Sequence, residues 1–387
     1  MRIGIFSESY EPLLNGVAVS VITLARELRS LGHMVHIFAP ACKGYHESSD
    51  VTRFPSIVTP FESNYPVPIP IIRGLSREIR QLELDVIHTQ TPWILGWLGL
   101  LLGRRLGIPV VSTNHTQYTE YAHYFTLAPK ALTRSFIAAN MRSYYRRCDG
   151  LVVPSDFTAQ LLRDCGVDAV THTIPTGNSL DTSRDVQARD LIRGELGIGK
   201  SEKVLLYVGR LAREKNVELL IRSFDQISKR KQDVTLLIVG GGPFEDECKR
   251  IVQSLDSASR IKLTGGIPRE KVAKYYSAGD IFTQPSTTET QGLVLGEALQ
   301  AGLPCVAVRA GGSPEVLREG SDSLLSENTV EDFASKVDAL VSDPEMMICF
   351  SANAVENSKR FSPEAMASSM LEVYHTAVST HASSCRT

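Results

Sequence analysis

Short apolar runs alternate with stretches of helical periodicity along most of the chain. Ile3 to Phe6 reads as a strand, and a turn-rich loop with Pro12, Asn15 and Gly16 follows. Val17, Val21, Leu24, Ala25, Leu28 and Leu31 then recur at the spacing of one helix face. Gly32 supplies the stop, and Val35 to Ala39 is the next strand. Val86 to His88, Pro109 to Thr113 and Leu151 to Val153 continue the series. The rhythm breaks at Ile174-Pro175-Thr176-Gly177-Asn178, and polar sequence runs on to Asp190. A second series of five strands then begins: Val204–Val208, Val234–Val239, Ile261–Leu263, Asp280–Thr283 and Pro304–Val308, each leading into a turn that carries Gly or Pro. Strands alternating with helices predict parallel sheets covered on both faces. The expected fold class is therefore α/β, with two Rossmann-like domains whose parallel sheets face a central cleft. The predicted boundaries are 1–178 and 179–362. A C-terminal helix from about residue 363, clearest over Pro363–Thr376, is expected to pack back on the first domain, with a frayed Ser-rich tail beyond it.

Length and composition fit this division. The chain has 387 residues, 43% hydrophobic and 22% charged, enough for two separate cores. Its formal net charge of −2 gives no reason to expect a nucleic-acid partner. Seven cysteines stand singly, without metal-ligand spacing, and read as reduced structural thiols. Met1–Phe6 is too short an apolar run for a signal peptide. The most apolar stretch, Trp93 to Leu102, is about half the length of a membrane span.

In open parallel sheets, ligands bind beyond the carboxyl ends of the strands, so the residues after each strand carry the functional reading. Gly16 opens the first helix, where its backbone can approach a phosphate; a tight turn without a ligand fits equally. The run is not GxGxxG, which argues against a dinucleotide cofactor. In Gly209-Arg210-Leu211-Ala212-Arg213-Glu214-Lys215-Asn216, Arg210 and Lys215 bracket a post-strand turn and suit a diphosphate, while Asn216 is expected to cap the next helix. Cations there stabilise the charge that grows on a departing nucleoside diphosphate. Glu289 and Glu297 stand eight residues apart, with Glu289 expected in a loop and Glu297 two turns into a helix among apolar neighbours. Glu297 needs a partner, either a ribose diol or a protein group such as a buried arginine. His115 follows the strand ending at Thr113; both an active-site and a structural role fit. There is no Asp-x-Asp, the pattern of transferases that hold the diphosphate through a metal.

At these residues the sequence resembles the retaining glycosyltransferases of family four, with the GT-B fold. The Gly-Arg-Leu…Glu-Lys run, the spaced Glu pair, and Glu297-Ala298-Leu299…Gly302-Leu303-Pro304 carry the likeness. The resemblance implies that Gly16, Arg210 and Lys215 bind the diphosphate and that Glu297 binds the ribose hydroxyls. It implies that Glu289, with the backbone amides of Gln291, Gly292 and Leu293, holds the sugar, that His115 contacts the sugar near the reacting centre, and that Ile267 lies near the base. Two positions depart from the pattern: Asn15-Gly16 replaces Gly-Gly, and Glu289-Thr290-Gln291-Gly292 replaces Glu-Phe-Gly. The acidic motif and Asn114-His115-Thr116 look similar to diacylglycerol glucosyltransferases and sulfoquinovosyl-diacylglycerol synthases.

The implied activity is a metal-independent, retaining hexosyl transfer without a cofactor. Glucose would pass from UDP-glucose to a membrane lipid such as 1,2-diacylglycerol, forming an α-glycosidic bond. The alternative is a GDP-mannose-dependent α-mannosyltransferase acting on a phosphatidylinositol-type lipid or another glycan acceptor. A soluble-acceptor synthase and a non-catalytic sugar-nucleotide sensor are the further rivals. The expected location is cytoplasmic, peripheral on the inner face of the cell membrane. A lipid surface has its own support in residues 121–150. There Lys130, Arg134, Arg142, Arg146 and Arg147 are interleaved with Tyr121, Tyr124, Phe125, Phe136, Tyr144 and Tyr145, and Arg73, Arg77 and Arg80 extend the basic character. Solvated helix faces over an ordinary core give the same pattern.

Overall fold

The computed structural model describes residues 1–13, 15–42, 48–58, 66–71, 74–118 and 129–384. The chain forms two units, Met1–Ser179 with Pro363–Thr387, and Leu180–Ser362.

In the first unit the order is β1 (Arg2–Phe6), α1 (Gly16–Ser30), β2 (Met34–Pro40), β3 (Val51–Phe54), β4 (Ser56–Val58), β5 (Pro66–Pro68), α2 (Leu75–Leu82), β6 (Val86–Thr89), α3 (Ile94–Leu106), β7 (Val110–Thr113), α4 (Lys130–Tyr145), β8 (Gly150–Val153), α5 (Asp156–Asp164) and β9 (Thr171–Thr173). Seven strands make one sheet in the order β3-β2-β1-β6-β7-β8-β9. All its pairings are parallel, while β4 and β5 form a separate antiparallel pair. Successive side chains point to opposite faces, and both faces are buried. Ile3 and Ile5 enter one apolar layer with Val21, Leu24 and Leu28 of α1. Phe6 enters the other, with Leu95 and Leu100 of α3 and Tyr144 and Tyr145 of α4.

The second unit runs α6 (Val186–Glu195), β10 (Lys203–Val208), α7 (Val217–Ser228), β11 (Val234–Val239), α8 (Glu245–Gln253), β12 (Ile261–Leu263), α9 (Arg269–Ala278), β13 (Ile281–Gln284), α10 (Leu293–Gln300), β14 (Cys305–Val308), α11 (Ser313–Val316), β15 (Ser323–Ser326), α12 (Val330–Ser342) and α13 (Pro344–Ser358). Its six-stranded sheet has the order β12-β11-β10-β13-β14-β15, again parallel throughout. Leu205 and Tyr207 face one core, and Val204, Leu206 and Val208 the other. Arg193 and Asp280 are both almost completely buried and pair at 2.6 Å, with Arg189 on the second carboxylate oxygen at 2.7 Å. This clamp fixes the start of β13, from which the acidic loop springs. Burial alone raises the Asp280 pKa, but the two guanidiniums outweigh it and hold the carboxyl below its ordinary range.

The last helix, α14 (Pro363–Ser384), belongs to the first unit. Met366, Ala367, Met370, Val373, Tyr374 and Ala377 form its buried stripe at helical spacing and join the layer that holds α1.

Three features differ from the sequence-based expectation. The second sheet has a sixth strand, β15, and the first gains β3 and β9; each is only three or four residues long. Through Ser384 the Ser-rich tail is helical rather than frayed, because α14 continues to that residue, and residues 385–387 lie outside the described residues. Glu297 lies about one turn into α10, because that helix begins only at Leu293.

Candidate functional site

Each sheet reverses its strand order next to its first strand, between β1 and β6 in the first unit and between β10 and β13 in the second. A crevice opens at the carboxyl ends of strands at such a point. Gly16 follows β1, Arg210 and Lys215 follow β10, and Glu289 to Gly292 follow β13, whereas His115 follows β7, Ile267 follows β12 and Glu297 lies within α10.

In the first unit, Asn15 caps α1 by accepting from the Ala18 amide at 2.9 Å. Its amide nitrogen donates to Ser9 Oγ at 3.1 Å, tying the helix start to the loop after β1. Gly16 is thereby the first residue of α1, where the helix amides have no partner within the helix. Glu8, two residues past β1, is 7% exposed and accepts from the Leu95 amide at 2.7 Å at the start of α3. Its Oε2 is buried without a partner. Burial pushes the Glu8 carboxyl up to about 7 against the opposing pull of backbone amides.

His115 stands two residues past β7. Its Nε2 lies 2.7 Å from Gln90 Oε1, at the end of the neighbouring β6. The Gln90 amide rests against His88, whose ring nitrogens meet Thr113 Oγ1 and Tyr374 Oη, each at 2.7 Å. Burial pushes His115 down to about 4 and His88 to about 3, so both rings are neutral near pH 7.

In the second unit, the turn after β10 and the loop after β13 are stitched together. Lys215 Nζ lies 2.7 Å from Glu289 Oε1, with both side chains mostly buried. Burial raises the Glu289 pKa, but the Lys215 ammonium prevails and holds the carboxylate below its ordinary range. Asn216 adopts φ 55° and makes no side-chain cap to α7. Its amide instead donates to Pro285 O at 3.1 Å and to Asn328 Oδ1 at 2.9 Å, correcting the expected helix-cap role. The left-handed backbone takes Asn216 out of capping geometry and frees its amide to join the two loops.

The acidic loop is also held from behind. The Gly312 amide donates to Glu289 O at 2.8 Å. A Cβ on Gly311 would lie 2.4 Å from that same oxygen, and one on Gly312 would lie 2.2 Å from Thr290 O. Gly292, at φ 87°, turns the chain into α10, so the amides of Gly292 and Leu293 fall at that helix's N-terminus. Glu297, 2% exposed, has Arg269 Nη2 on Oε1 at 3.0 Å and accepts from Tyr276 Oη on Oε2 at 2.7 Å. Each carboxylate oxygen retains a lone pair for a further donor. Arg210 is exposed, and no ion pair or hydrogen bond joins its side chain to Lys215 or Glu289. Ile267 is half-buried beside α9.

The structure thus brings Lys215 to Glu289, and it holds Glu297 with Arg269 and Tyr276. Sequence reasoning missed Glu8, Gln90, Arg269, Tyr276 and Tyr374. A strand-end reading could have found Glu8 and Gln90; for Arg269, Tyr276 and Tyr374 the sequence carries no local signal.

The basic and aromatic stretch divides. Residues 121–128, Arg73 and the Lys130 side chain lie outside the described residues. Tyr144 and Tyr145 are not surface aromatics: they are fully buried, with hydroxyls on Thr89 and Asn114 at 2.6 and 2.9 Å. Arg142 is spent on Cys165 O at 2.8 Å. Leu132 and Phe136, one helical turn apart on α4, are 64% and 67% exposed, and Arg134, Arg146 and Arg147 are exposed on or just beyond that helix. Among the described residues, no helix is long and apolar enough to cross a membrane.

Comparison with known proteins places these features in a lineage. The family model described as Glycosyltransferase Family 4 matches residues 14–182, and that described as Glycosyl transferases group 1 matches residues 188–357. The chain is 37% identical over 317 residues to an alpha-monoglucosyldiacylglycerol synthase of Streptococcus pneumoniae, covering 79% of this chain and 71% of the relative. It is 31% identical over 390 residues to the enzyme of the same name from Acholeplasma laidlawii, covering 97% and 96%. In fold it is similar to the Anabaena protein HepE, solved in complex with UDP, with a TM-score of 0.75 at 20% identity and coverage of 96% and 99%.

Proposed function

We propose, on the premise that this chain belongs to glycosyltransferase family 4, that it transfers a glucosyl group from UDP-glucose to 1,2-diacylglycerol with retention at the anomeric carbon. One observation carries the reading. At the strand-order reversal of the second unit, an exposed guanidinium, Arg210, shares a post-strand turn with an ammonium already fixed on a buried acid, Lys215 on Glu289. Two cations of this kind suit a diphosphate, and the acid beside them suits the hydroxyls of the attached sugar.

In this reading the C1–O bond to the β-phosphate breaks as the acceptor oxygen bonds to C1 on the same face. The acceptor proton passes to the departing phosphate oxygen. Arg210 and Lys215 stabilise the charge growing on the nucleoside diphosphate and stand where a metal would otherwise serve. Glu289, with the amides of Gln291, Gly292 and Leu293, holds the sugar. Glu297 takes the ribose hydroxyls and Ile267 lies against the base, and the family resemblance assigns Gly16 to the diphosphate and His115 to the sugar.

Support for the lipid acceptor comes from the names of the two synthases and from the exposed Leu132, Phe136 and Arg134 on α4, an apolar and basic set suited to an anionic bilayer. The test supplies UDP-glucose, UDP-galactose or GDP-mannose to the purified chain with diacylglycerol in anionic vesicles and EDTA present. The expected product is α-glucosyl-diacylglycerol, with its anomeric configuration read by NMR. Consumption of GDP-mannose alone, transfer only to soluble acceptors, or activity abolished by EDTA would overturn the corresponding part of the proposal.

A further inference from the structure

His115 does not stand alone at the end of β7. Its Nε2 is 2.7 Å from Gln90 Oε1. The Gln90 side chain is 1% exposed, and its Nε2 lies 3.3 and 3.2 Å from the two ring nitrogens of His88. This near-equal spacing places the amide against the ring rather than on one lone pair. The in-plane positions of that ring are already taken by Tyr374 Oη and Thr113 Oγ1, each at 2.7 Å. An N–H donor suits the negative face of a ring, whereas a carbonyl oxygen there would be repelled. The Gln90 amide is therefore oriented with its nitrogen toward His88 and its oxygen toward His115. A carbonyl oxygen can only accept, so the proton of neutral His115 must sit on Nε2. Nδ1 is then the ring's acceptor atom.

We infer that Gln90 is the positioning residue that fixes His115 as the Nε2–H tautomer, and that Tyr374 on the C-terminal helix keeps Gln90 in register through His88. With the proton held on Nε2, Nδ1 can act only as an acceptor, which is the role a sugar hydroxyl would ask of it. The chain of contacts joins His115 to Tyr374 on the last helix, far along the sequence, and every member lies within the first unit. The inference rests on the reading of His115 as a residue of the donor site.

The experiment uses the full-length chain labelled with 15N-histidine. Long-range 15N–1H correlation spectra distinguish the two tautomers directly, and His115→Ala assigns the signal. Wild type is expected to show His115 protonated on Nε2. Gln90→Met is expected to shift that signal toward the other tautomer or a mixture, with kcat lowered roughly 10- to 100-fold at unchanged KM for the donor. Tyr374→Phe removes one hydroxyl and should give a smaller shift in the same direction, which covers the case of a Gln90 variant that folds poorly. A His115 signal that stays Nε2-protonated in a folded Gln90→Met chain overturns the inference. Full turnover by His115→Ala overturns instead the site reading beneath it, so the two failures are told apart.

Discussion

Lys215 and Glu289 are joined at 2.7 Å, so the cation proposed for the diphosphate and the acid proposed for the sugar form one electrostatic unit. Lys215→Met removes the counter-charge from a buried carboxylate. It should lower kcat by roughly 10²- to 10³-fold and cost about 2 kcal/mol of folding stability. The double variant Lys215→Met/Glu289→Gln should recover most of the stability and none of the turnover. Chemical denaturation and initial rates on the wild type, the two single variants Lys215→Met and Glu289→Gln, and the double variant check both parts, and simple additivity of the stabilities would contradict the coupling.

Gly312→Ala tests the packing behind the acidic loop. Gly312 has ordinary helical dihedrals, φ −80°, so any effect comes from the new methyl meeting Thr290 O rather than from backbone strain. The methyl must push the loop outward. Donor KM should rise and kcat should fall while the melting temperature changes little, as measured by steady-state kinetics alongside calorimetry.

Tyr276→Phe removes one of the two protein donors on Glu297 while keeping the ring in its core position. Nucleoside diphosphate affinity should fall several-fold, equivalent to about 1 kcal/mol. Titration calorimetry with UDP reads this directly. Unchanged affinity would detach Glu297 from nucleotide binding.

Glu8 and His88 should give stability opposite dependences on pH. Burial raises the Glu8 pKa, so the folded state binds its proton more tightly than the unfolded chain. The resulting penalty on stability is absent below the ordinary value of 4.5, grows as pH rises, and is complete above about 7. His88 is depressed to about 3, so its contribution is complete above the ordinary 6.5 and is lost as pH falls toward 3. Glu8→Gln should therefore flatten the decline between pH 4.5 and 7, and His88→Gln the acid limb below 6.5. Denaturant midpoints measured across pH 4 to 8 check both.

Much of this architecture was readable in the chain. Long apolar strands such as Val234–Val239 announce themselves, and the Gly-bearing turns after them mark the sheet edges where Arg210, Lys215 and Glu289 lie. Ser323–Ser326 was not legible, because four residues with serine at both ends carry too little pattern to distinguish a strand from a loop. Asn216 misled for a physical reason: asparagine suits a helix cap and a left-handed turn equally well, and here it takes the turn. The partners of Glu297 and His88 were hidden by distance along the chain. Nothing near Glu297 points to Tyr276 two elements earlier, and nothing near His88 points to Tyr374. Local periodicity registers which face of an element is apolar, not which distant side chain satisfies a buried polar atom.

The homecoming of α14 has a consequence for how the protein is made. Val21, Leu24 and Ala25 share an apolar layer with Met366, Met370 and Tyr374. On the ribosome, those early residues must wait while the whole second unit is synthesised before their cover arrives. A fragment ending at Ser179 is therefore expected to be sticky rather than a self-sufficient half. Supplying residues 363–384 as a separate peptide should restore its solubility.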